Sequence, residues 1–379
     1  MKISCWMTLV DKQYSVESKV NKETNSWLSQ LFVSVGMFIV LVTLSACSRE
    51  INTLSISGPI MGTEYRFTLV CNSDRSEQAW QDELVAVMET VNQSMSTWQK
   101  DSELSQFNQN KSTEFEFASQ DLLNVLAISQ QISLETNGAF DVTVMPLVNL
   151  WGFGPGSNKS DIEDRVSPSE EALTTIQDIV GYKKLQFSIE EAHWKKNHPD
   201  VSVDFSAVAK GYAVDKVSKH LLSLGCENHL VDIGGEVRVQ GHNSEGNDWR
   251  IAIEKPDTVN NFQTVIDVTN MSIASSGDYR NFYFIDGKRY SHTIDPRTLK
   301  PIEHNLASVT VLDSEAAKAD ALATAFMVMG DEALNFAEEN GVPAFFIFRN
   351  MKENELQEGS KFKVSYSTAF EQYFVEKPK

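Results

Sequence analysis

The sequence predicts an α+β fold with a mostly antiparallel sheet and packed helices. Amphipathic helical segments come first, short strand-like segments separated by tight turns follow, and a second group of helices precedes a last strand. The strands do not alternate regularly with helices, which excludes a doubly wound Rossmann pattern. With 379 residues, 41% of them hydrophobic, the chain can bury a substantial core in one large or two ordinary domains.

The N-terminal segment resembles a bacterial lipoprotein signal peptide. Leu31–Leu44 is an uncharged apolar run that is short for a membrane span and suits a signal-peptide core. Small residues then lead into Cys47, as in a lipobox. We therefore expect residues 1–46 to be removed, Cys47 to carry lipid, residues 47–57 to form a tether and residues 58–379 to form the domain, facing the periplasm at a membrane. The alternative is an uncleaved signal anchor.

The chain is strongly acidic. Its net charge is −19, and removal of residues 1–46, with four lysines and three acidic residues, leaves 29 basic and 49 acidic residues and a net charge of −20. Such a surface repels phosphate backbones, so nucleic acid is not an expected partner. An anionic ligand therefore needs a locally neutralised pocket.

Two cysteines, Cys71 and Cys226, lie in the predicted domain. In an oxidising compartment they could form a disulfide, and otherwise they could remain two buried thiols. The sequence leaves both alternatives open.

The first half of the domain is predicted to be mainly helical. Met61-Gly62-Thr63, where glycine allows close backbone approach, precedes a predicted strand over Glu64–Cys71. Apolar residues at helical spacing predict a helix over Ser76–Ser94. A second helix, over Ser119–Thr136, begins at a serine cap and is stopped by Asn137-Gly138.

Two loop segments have the composition of ligand contacts. Trp98, at the exit of the first helix, could stack on a planar ligand or cap the core, and the local pattern favours the core. Ala139-Phe140-Asp141 follows the second helix among aromatic residues and glycines, as in ligand-facing loops. The alternative for Asp141 is an ordinary turn acid that bonds its own backbone.

A strand over Val201–Phe205 is predicted to break at Ser206 into a helix over Ala207–Gly225. Such a junction leaves amide groups free for phosphate oxygens, and Lys210 adds charge in the first turn, although the segment is neither a Walker loop nor a dinucleotide fingerprint. An antiparallel run follows, with Asp286-Gly287 as a hairpin turn. The later predicted strands are Leu230–Ile233, Glu236–Val239, Trp249–Glu254, Thr264–Val268, Ser272–Ser275, Asn281–Ile285, Arg289–Ile294 and, at the end, Val342–Phe348.

The next predicted strand and helix carry candidate metal ligands. A strand over Ala307–Leu312 leads into a helix that we expect to be capped by Asp313 or Ser314. Asp320 and Thr324 lie four residues apart on this helix, so both side chains project from one face. A carboxylate and a hydroxyl one turn apart suit a hard cation such as Mg²⁺, which prefers oxygen ligands.

Together these segments resemble the ApbE family, the FAD:protein FMN transferases. The resemblance covers about Ile56–Phe348, and several separate motifs in one order are more specific than any one of them. It implies the T-fold-like α+β architecture of that family. The segments that carry it are MGTEYRF at 61, MSTW at 95, AFDVTVMPLVNLWGFG at 139, DFSAVAKGYAVDKV at 204, LVDIGGEVRVQG at 230, SSGDYRNFY at 275, SHTIDPRT at 291 and ADALATAF at 319.

The resemblance implies a substrate, a cofactor and a set of site residues. Members of the family bind FAD with Mg²⁺ and transfer its FMN half to a threonine of an acceptor flavoprotein, with release of AMP. His292 matches the proposed general base, and Asp320, Thr324 and the backbone carbonyl of Ala209 match the metal ligands. Leu299 departs from the pattern, because the family usually has glycine there, in the turn after His292. The residues that match FAD contacts are Met61, Trp98, Ala139, Phe140, Asp141, Ser206, Tyr212, Ile294 and Ala323.

This chemistry requires a base. Threonine is a poor nucleophile at neutral pH, and an imidazole has a pKa suited to accepting its proton. The expected acceptors are flavoprotein subunits of membrane respiratory complexes. Two alternatives remain: an FAD pyrophosphatase, in which water replaces threonine and free FMN and AMP are released, and a non-catalytic flavin-binding lipoprotein.

Overall fold

The computed structural model of the protein describes residues 53–154, 167–256, 262–350 and 361–377. The predicted signal peptide and the lipidation site at Cys47 lie outside these ranges. Within them, no helix has the length and apolar character that crossing a bilayer requires.

Short strands and helices follow one another irregularly along the described chain. The strands are β1 (Thr53–Ile60), β2 (Thr63–Val70), β3 (Glu116–Phe117), β4 (Leu185–Ser188), β5 (His193–Lys196), β6 (His229–Ile233), β7 (Glu236–Gln240), β8 (Trp249–Glu254), β9 (Phe262–Val268), β10 (Met271–Gly277), β11 (Phe282–Ile285), β12 (Lys288–Ser291), β13 (Ile294–Asp295), β14 (Lys300–Pro301), β15 (Leu306–Asp313), β16 (Ala344–Arg349) and β17 (Phe362–Tyr366). The helices are α1 (Glu77–Met95), α2 (Glu103–Gln109), α3 (Gln120–Glu135), α4 (Met145–Leu150), α5 (Glu170–Gln177), α6 (Ala209–Ser223), α7 (Ala316–Met329) and α8 (Ala333–Glu339).

An eight-stranded sheet lies at the centre of the described chain. Its strand order is β1-β2-β6-β7-β10-β15-β16-β17, and each neighbouring pair is antiparallel. Smaller antiparallel units are formed by β3-β5-β4, β8-β9, β11-β12 and β13-β14. The prediction of a mostly antiparallel α+β fold is confirmed.

Helices cover one face of the large sheet. α7 packs against β10 and β15, α6 packs against α7, β6 and β7, and α1 packs on α6, so that their buried side chains form the main core. A Cβ atom at Gly211 in α6 would overlap the backbone of Ala316 in α7, so glycine permits this close helix contact. The hairpin β8-β9 and the turn around Phe370 cover the opposite face and form a second core.

The predicted helices of the first half are confirmed. α1 begins after Ser76, whose hydroxyl accepts a hydrogen bond from Ala79 N at 3.2 Å, and α3 begins after Ser119 in the same manner. Asn137 and Gly138 have φ values of 50° and 79°, the left-handed conformation that ends α3 as predicted. Local sequence signals therefore determine these helix boundaries.

The predicted cap of α7 is wrong. The helix begins at Ala316, and Asp215 in α6 accepts hydrogen bonds from Ala316 N at 2.9 Å and Ala317 N at 3.0 Å. Asp313 bonds an amide that precedes the helix, and Ser314 does not cap it. The cap comes from 101 residues earlier in the chain because α6 and α7 pack closely.

Four strand predictions differ from the structure. The strand predicted over Arg289–Ile294 ends at Ser291 in β12, and Ile294 belongs to β13, which pairs with β14. Val201–Phe205 forms no strand within the described residues, because Val203 bonds the side-chain amide of Asn108 through both its N–H (2.7 Å) and its carbonyl (2.8 Å). β1 begins at Thr53, inside the predicted tether, since it pairs with β2 along its whole length. β16 is not the last strand, because β17 pairs with its free edge.

Cys71 and Cys226 form a disulfide. Their Cα atoms are 5.1 Å apart, and the bond links the end of β2 to the segment after α6, across 155 residues. Of the two alternatives that the sequence left open, the structure therefore shows the disulfide.

Candidate active site

A cleft of about 420 Å³ opens beside β10 and α7. Its walls also include the loops after α1 and α3, the junction before α6 and the segment after β12. Tertiary folding thus collects segments from across the chain. The predicted site residues that line the cleft are Trp98, Ala139, Phe140, Asp141, Ser206, His292, Ile294, Asp320 and Thr324.

Asp320 and Thr324 face the cleft from α7, as their spacing predicts. Asp320 is 3% exposed, and its Oδ2 accepts a hydrogen bond from Gly211 N at 3.1 Å. The hydroxyl oxygen of Thr324 lies 3.3 Å from that of Ser276 in β10. α7 can place a carboxylate here because the contact with α6 supplies a backbone donor to one of its oxygens.

Lys210 lies between two buried carboxylates. Its Nζ is 3.2 Å from Glu236 Oε1 and 3.7 Å from Asp320 Oδ2. Burial disfavours the charged ammonium, but the two carboxylates outweigh that effect and raise the pKa of Lys210. Burial also raises the pKa of Glu236 and of Asp320, against the opposing charge of Lys210. Lys210 thus offsets part of the negative charge of this cluster, and an anionic ligand here needs a further cation.

The donor set of this cluster fits a hard divalent cation. Within the described ranges, no three His, Cys, Asp or Glu side chains are grouped as metal ligands, so a cation would depend on Asp320 together with hydroxyl and carbonyl oxygens. Among the residues that the structure describes, Glu236 Oε2 is buried and has no hydrogen-bond partner, which costs about 1–3 kcal/mol. Two carboxylates beside one ammonium also leave the cluster anionic when both are ionised. These features fit the Mg²⁺ expected at this site.

His292 is oriented by the backbone at the base of the β11-β12 hairpin. Its Nδ1 lies 3.0 Å from the carbonyl oxygen of Asn281, and its backbone N–H donates to the same oxygen at 3.1 Å. A carbonyl can only accept, so Nδ1 carries the proton and Nε2 keeps the lone pair. Burial lowers the pKa of His292, although the bond to Asn281 opposes the shift. The imidazole is therefore neutral and able to accept a proton near neutral pH.

The turn after His292 places Leu299 in a backbone conformation that favours glycine. This leucine has φ 63°, the left-handed conformation that explains why glycine is usual there. Its N–H donates to Asp295 O at 2.8 Å, and its carbonyl accepts from Trp151 Nε1 at 2.9 Å. The leucine side chain also packs against the cluster around Leu147 and Trp151, which offsets the backbone strain.

Trp98 lies on the rim of the cleft and is 75% exposed. The interpretation of Trp98 as a core residue is therefore wrong. The helix that precedes it buries Met95 instead, and the turn beyond Ser96 directs the chain outward. An exposed indole beside a cleft is suited to stacking on a planar ring.

Asp141 shapes the loop that forms another wall. Its Oδ1 accepts from Thr143 N at 2.8 Å and from the Thr143 hydroxyl at 2.6 Å, and its Oδ2 accepts from Tyr182 N at 2.6 Å. Burial raises the pKa of Asp141, and these bonds oppose the rise. The alternative of a turn acid that bonds nearby backbone is confirmed, and the residue also lines the cleft.

Three amides at the junction before α6 are already engaged in local hydrogen bonds. The amides of Val208 and Ala209 donate to Phe205 O at 2.9 and 2.8 Å, and Ser206 N donates to Asp204 Oδ1 at 2.8 Å. The Ser206 hydroxyl donates to the same carboxylate oxygen at 2.5 Å. Whether other amides of this junction bind phosphate stays a prediction.

The cleft belongs to a chain that is similar to known proteins over most of its length. A sequence model of the ApbE family matches residues 61–346. The chain belongs to the ApbE family.

Curated ApbE-family relatives carry the name FAD:protein FMN transferase. The Haemophilus influenzae protein is 40% identical over 345 residues, which cover 89% of this chain and 98% of the relative, and the Vibrio cholerae protein is 43% identical over 312 residues, which cover 82% and 91%. The solved flavin transferase ApbE from Vibrio cholerae matches with a TM-score of 0.75 at 40% identity, over 85% of this chain and 99% of that chain. The apo form of the Pseudomonas stutzeri flavinyl transferase ApbE matches with a TM-score of 0.76 at 35% identity, over 86% and 98%.

Four residues that match ApbE-family contacts lie outside the cleft lining. Met61 is in the β1-β2 turn with φ 49°, and Tyr212 donates from its hydroxyl to Asp121 Oδ1 at 2.8 Å. Ala209 and Ala323 have buried side chains in α6 and α7. Their ligand contacts, including the carbonyl of Ala209, stay predictions.

The cleft also contains residues that the sequence did not single out as site residues. Glu236 lines it directly after Gly234 and Gly235, whose φ values of 67° and 100° make a tight turn. Ser276 lines it beside Thr324, and Asn281 lines it beside His292. The sequence feature that could have identified Glu236 as a site residue is its position directly after two glycines. No local signal marked Asn281, because its role depends on a backbone carbonyl.

Proposed function

We propose that this ApbE-family protein is an FAD:protein FMN transferase that requires Mg²⁺ and attaches FMN to a threonine hydroxyl of an acceptor flavoprotein. The observation that carries the proposal is one cleft lined by an oriented imidazole, His292, the oxygen pair Asp320 and Thr324, and the exposed ring of Trp98. The relatives named FAD:protein FMN transferase, which align with more than four fifths of the chain, support it.

The cleft offers suitable contacts for both parts of FAD. Trp98 exposes a face for stacking on a flavin or adenine ring. Phe140 and Ile294 form apolar parts of the wall. Lys210 offsets part of the negative charge that the diphosphate would meet beside Glu236 and Asp320. Asp320 and Thr324 lie in the same region of the cleft.

Asp320, Thr324 and the carbonyl of Ala209 would hold the Mg²⁺. When bound, the ion supplies charge neutralisation to the diphosphate oxygens, on which negative charge develops during phosphoryl transfer. Glu236 and Lys210 then keep the metal-binding carboxylate in a compact charged cluster.

The transfer exchanges one phosphorus–oxygen bond for another. The acceptor hydroxyl oxygen bonds to the FMN phosphorus, while the bond from that phosphorus to the bridging oxygen breaks and the oxygen leaves with AMP. His292 Nε2 accepts the hydroxyl proton, because Nδ1 is already bonded to Asn281. The lowered pKa of His292 keeps the base neutral at pH 7.

FAD hydrolysis is the second candidate. It uses the same groups with water as the nucleophile, and an open cleft of about 420 Å³ beside His292 admits water. Storage of FAD without turnover is less well supported, since storage gains nothing from a base whose tautomer is determined by the backbone.

Location and partners form part of the proposal. A lipid anchor at Cys47 would hold the domain on the periplasmic side of a membrane, beside flavoprotein subunits of respiratory complexes. The disulfide between Cys71 and Cys226 supports an oxidising compartment.

One assay tests the proposal. Protein starting at Ser48 is incubated with FAD, MgCl₂ and a threonine-bearing domain of a respiratory flavoprotein, with a Thr→Ala acceptor and an EDTA-treated sample as controls. Mass spectrometry of the acceptor and chromatography of AMP are the readouts. FMN on the threonine with equimolar AMP is expected. Free FMN with AMP and no adduct would indicate hydrolysis, and intact FAD would indicate storage.

A further inference from the structure

His292 follows a hairpin that lies outside the central sheet. β11 and β12 pair with each other and with no other strand of the described chain. One anchor of this hairpin is aromatic, because Tyr283 stacks on Phe153 and donates from its hydroxyl to Trp151 O at 2.8 Å. That anchor connects the hairpin to the wall of the cleft. The connection to the central sheet requires other contacts.

A buried ion cluster at Asp278 makes that connection. Asp278 is 1% exposed, and its Oδ2 accepts from Arg289 Nη1 at 2.6 Å and from Arg349 Nη1 at 3.1 Å. Arg349 Nη2 bonds the other carboxylate oxygen, and Arg289 Nη2 bonds the backbone carbonyl of Asp278. The cluster therefore joins three segments: the loop after β10, strand β12 and the end of β16.

The cluster is well connected to the rest of the sheet. Asp278 N donates to Ala307 O at 3.2 Å, and Arg349 N donates to Asn305 O at 2.8 Å. The arginine side chains are only 29% and 28% exposed, for Arg289 and Arg349 respectively. Charge-assisted, nearly bidentate bonds of this kind are short and directional. Removing one partner would leave charge poorly compensated, so each member helps to hold the others in place.

The loop that the cluster holds also orients the base. Asn281, three residues beyond Asp278, supplies the carbonyl that bonds both the backbone N–H and Nδ1 of His292. Arg289 lies three residues before His292 on the other arm of the hairpin. Both chain segments that meet at the imidazole are therefore fastened to Asp278. A displacement of about 1 Å at a catalytic group can lower a rate by about 100-fold.

We propose that Asp278, Arg289 and Arg349 are positioning residues that hold the imidazole of His292 in its working tautomer and place. The proposal rests on the proposed role of His292 as the base. Arg349 is the residue to change, because it lies on β16 and does not line the cleft.

The test compares Arg349→Gln with wild type in the full-length chain. We expect kcat for FMN transfer to fall about 10- to 100-fold, while the Kd for FAD and the Mg²⁺ midpoint change less than about threefold. Arg349→Lys, which keeps the charge but not the fork, should recover part of kcat. The matched control is Arg250→Gln, which removes an exposed pair with Asp267, and we expect it to leave every value unchanged.

A second measurement does not depend on transfer. In protein labelled with ¹⁵N-histidine, the nitrogen spectrum reports the tautomer of His292, assigned by its loss in His292→Ala. Wild type should show the Nδ1–H form, and Arg349→Gln should show a mixture with Nε2–H. The tautomer can be measured even if wild type transfers no FMN. A wild type without transfer would refute the proposed function but not the positioning of the imidazole.

Two outcomes would overturn the positioning role. One is an Arg349→Gln protein with wild-type kcat and an unchanged tautomer. The other is a parallel loss of kcat, FAD affinity and thermal stability with the tautomer preserved, which would show that the cluster only stabilises the fold.

Discussion

Replacing His292 with glutamine tests the proposed base while leaving the other cleft residues in place. General base catalysis contributes about 10²- to 10⁴-fold to rate, which corresponds to about 3–5 kcal/mol of the barrier. Nδ1 of His292 is already engaged with the carbonyl of Asn281, so the proposed base would act through Nε2. We therefore expect kcat of His292→Gln to fall by 10²- to 10⁴-fold.

The same change should affect FAD binding little. At most one hydrogen bond from Nε2 to the ligand is lost, worth about 0.5–1.5 kcal/mol, so the Kd should rise less than about tenfold. FAD binding is measured by flavin fluorescence at fixed Mg²⁺, and transfer is measured by AMP release together with the mass of the acceptor. His242→Gln is the control, because His242 is 53% exposed and pairs with Asp248 at 3.3 Å, outside the cleft.

The pH profile provides an independent check on the assignment. Because burial lowers the pKa of His292, protonation should inactivate wild type only below the ordinary histidine value of about 6.5. Activity should rise with pH through the lowered pKa and then level off, and this acidic limb should be absent from the residual rate of His292→Gln. A variant that transfers within threefold of the wild-type rate, with the acidic limb intact, would refute the base assignment.

Three further changes test the metal pair, the disulfide and a buried histidine. In Asp320→Asn, the Mg²⁺ concentration that gives half-maximal FAD binding by calorimetry should rise at least about tenfold. In the control Asp313→Asn, which lies nearby but outside the cleft, it should not change. Equal Mg²⁺ midpoints in the two variants would contradict the assignment of Asp320 as a metal ligand. Cys226→Ala opens a loop of 155 residues, so the free energy of unfolding measured in urea should fall by up to about 5 kcal/mol. Wild type in reductant should show nearly the same free energy of unfolding as the variant. An unchanged value in reductant would contradict a stabilising disulfide. Burial lowers the pKa of His229 to about 4, so between pH 6.5 and 4 the unfolded state binds one more proton than the folded state. The free energy of unfolding should therefore fall by about 3 kcal/mol as the pH drops through that window. In His229→Gln this pH dependence of the free energy of unfolding should disappear.

Local patterns were sufficient for most elements. The serine caps at Ser76 and Ser119, the stop at Asn137-Gly138 and the hairpin turn at Asp286-Gly287 each depend on a few neighbouring residues, and the structure agrees at each. The predicted strand over Val201–Phe205 does not form, because the side-chain amide of Asn108 in α2 hydrogen-bonds the backbone N–H and carbonyl of Val203. Composition alone cannot reveal such a partner.

Candidate site residues divide in the same manner. Asp320 and Thr324 follow from helical spacing, which is a local property, and both reach the cleft. The exposure of Trp98 could not be predicted, because the direction of the chain after α1 depends on tertiary contacts. Glu236 could not be assigned to the site from the sequence, because it lies beside Lys210 only through the antiparallel pairing of β7 with β6 and β10.

By itself the sequence determined the long helices α1, α3, α6 and α7, most strands, the antiparallel α+β class and the motif resemblance that the ApbE-family match confirms. The tertiary structure decided how charge is arranged around those motifs. Asp215 caps α7 from another helix, Lys210 bridges Glu236 and Asp320, and Asn281 determines which nitrogen of His292 carries the proton. The physical reason is that hydrogen bonds and ion pairs act over about 3–4 Å in space, whatever the separation along the chain.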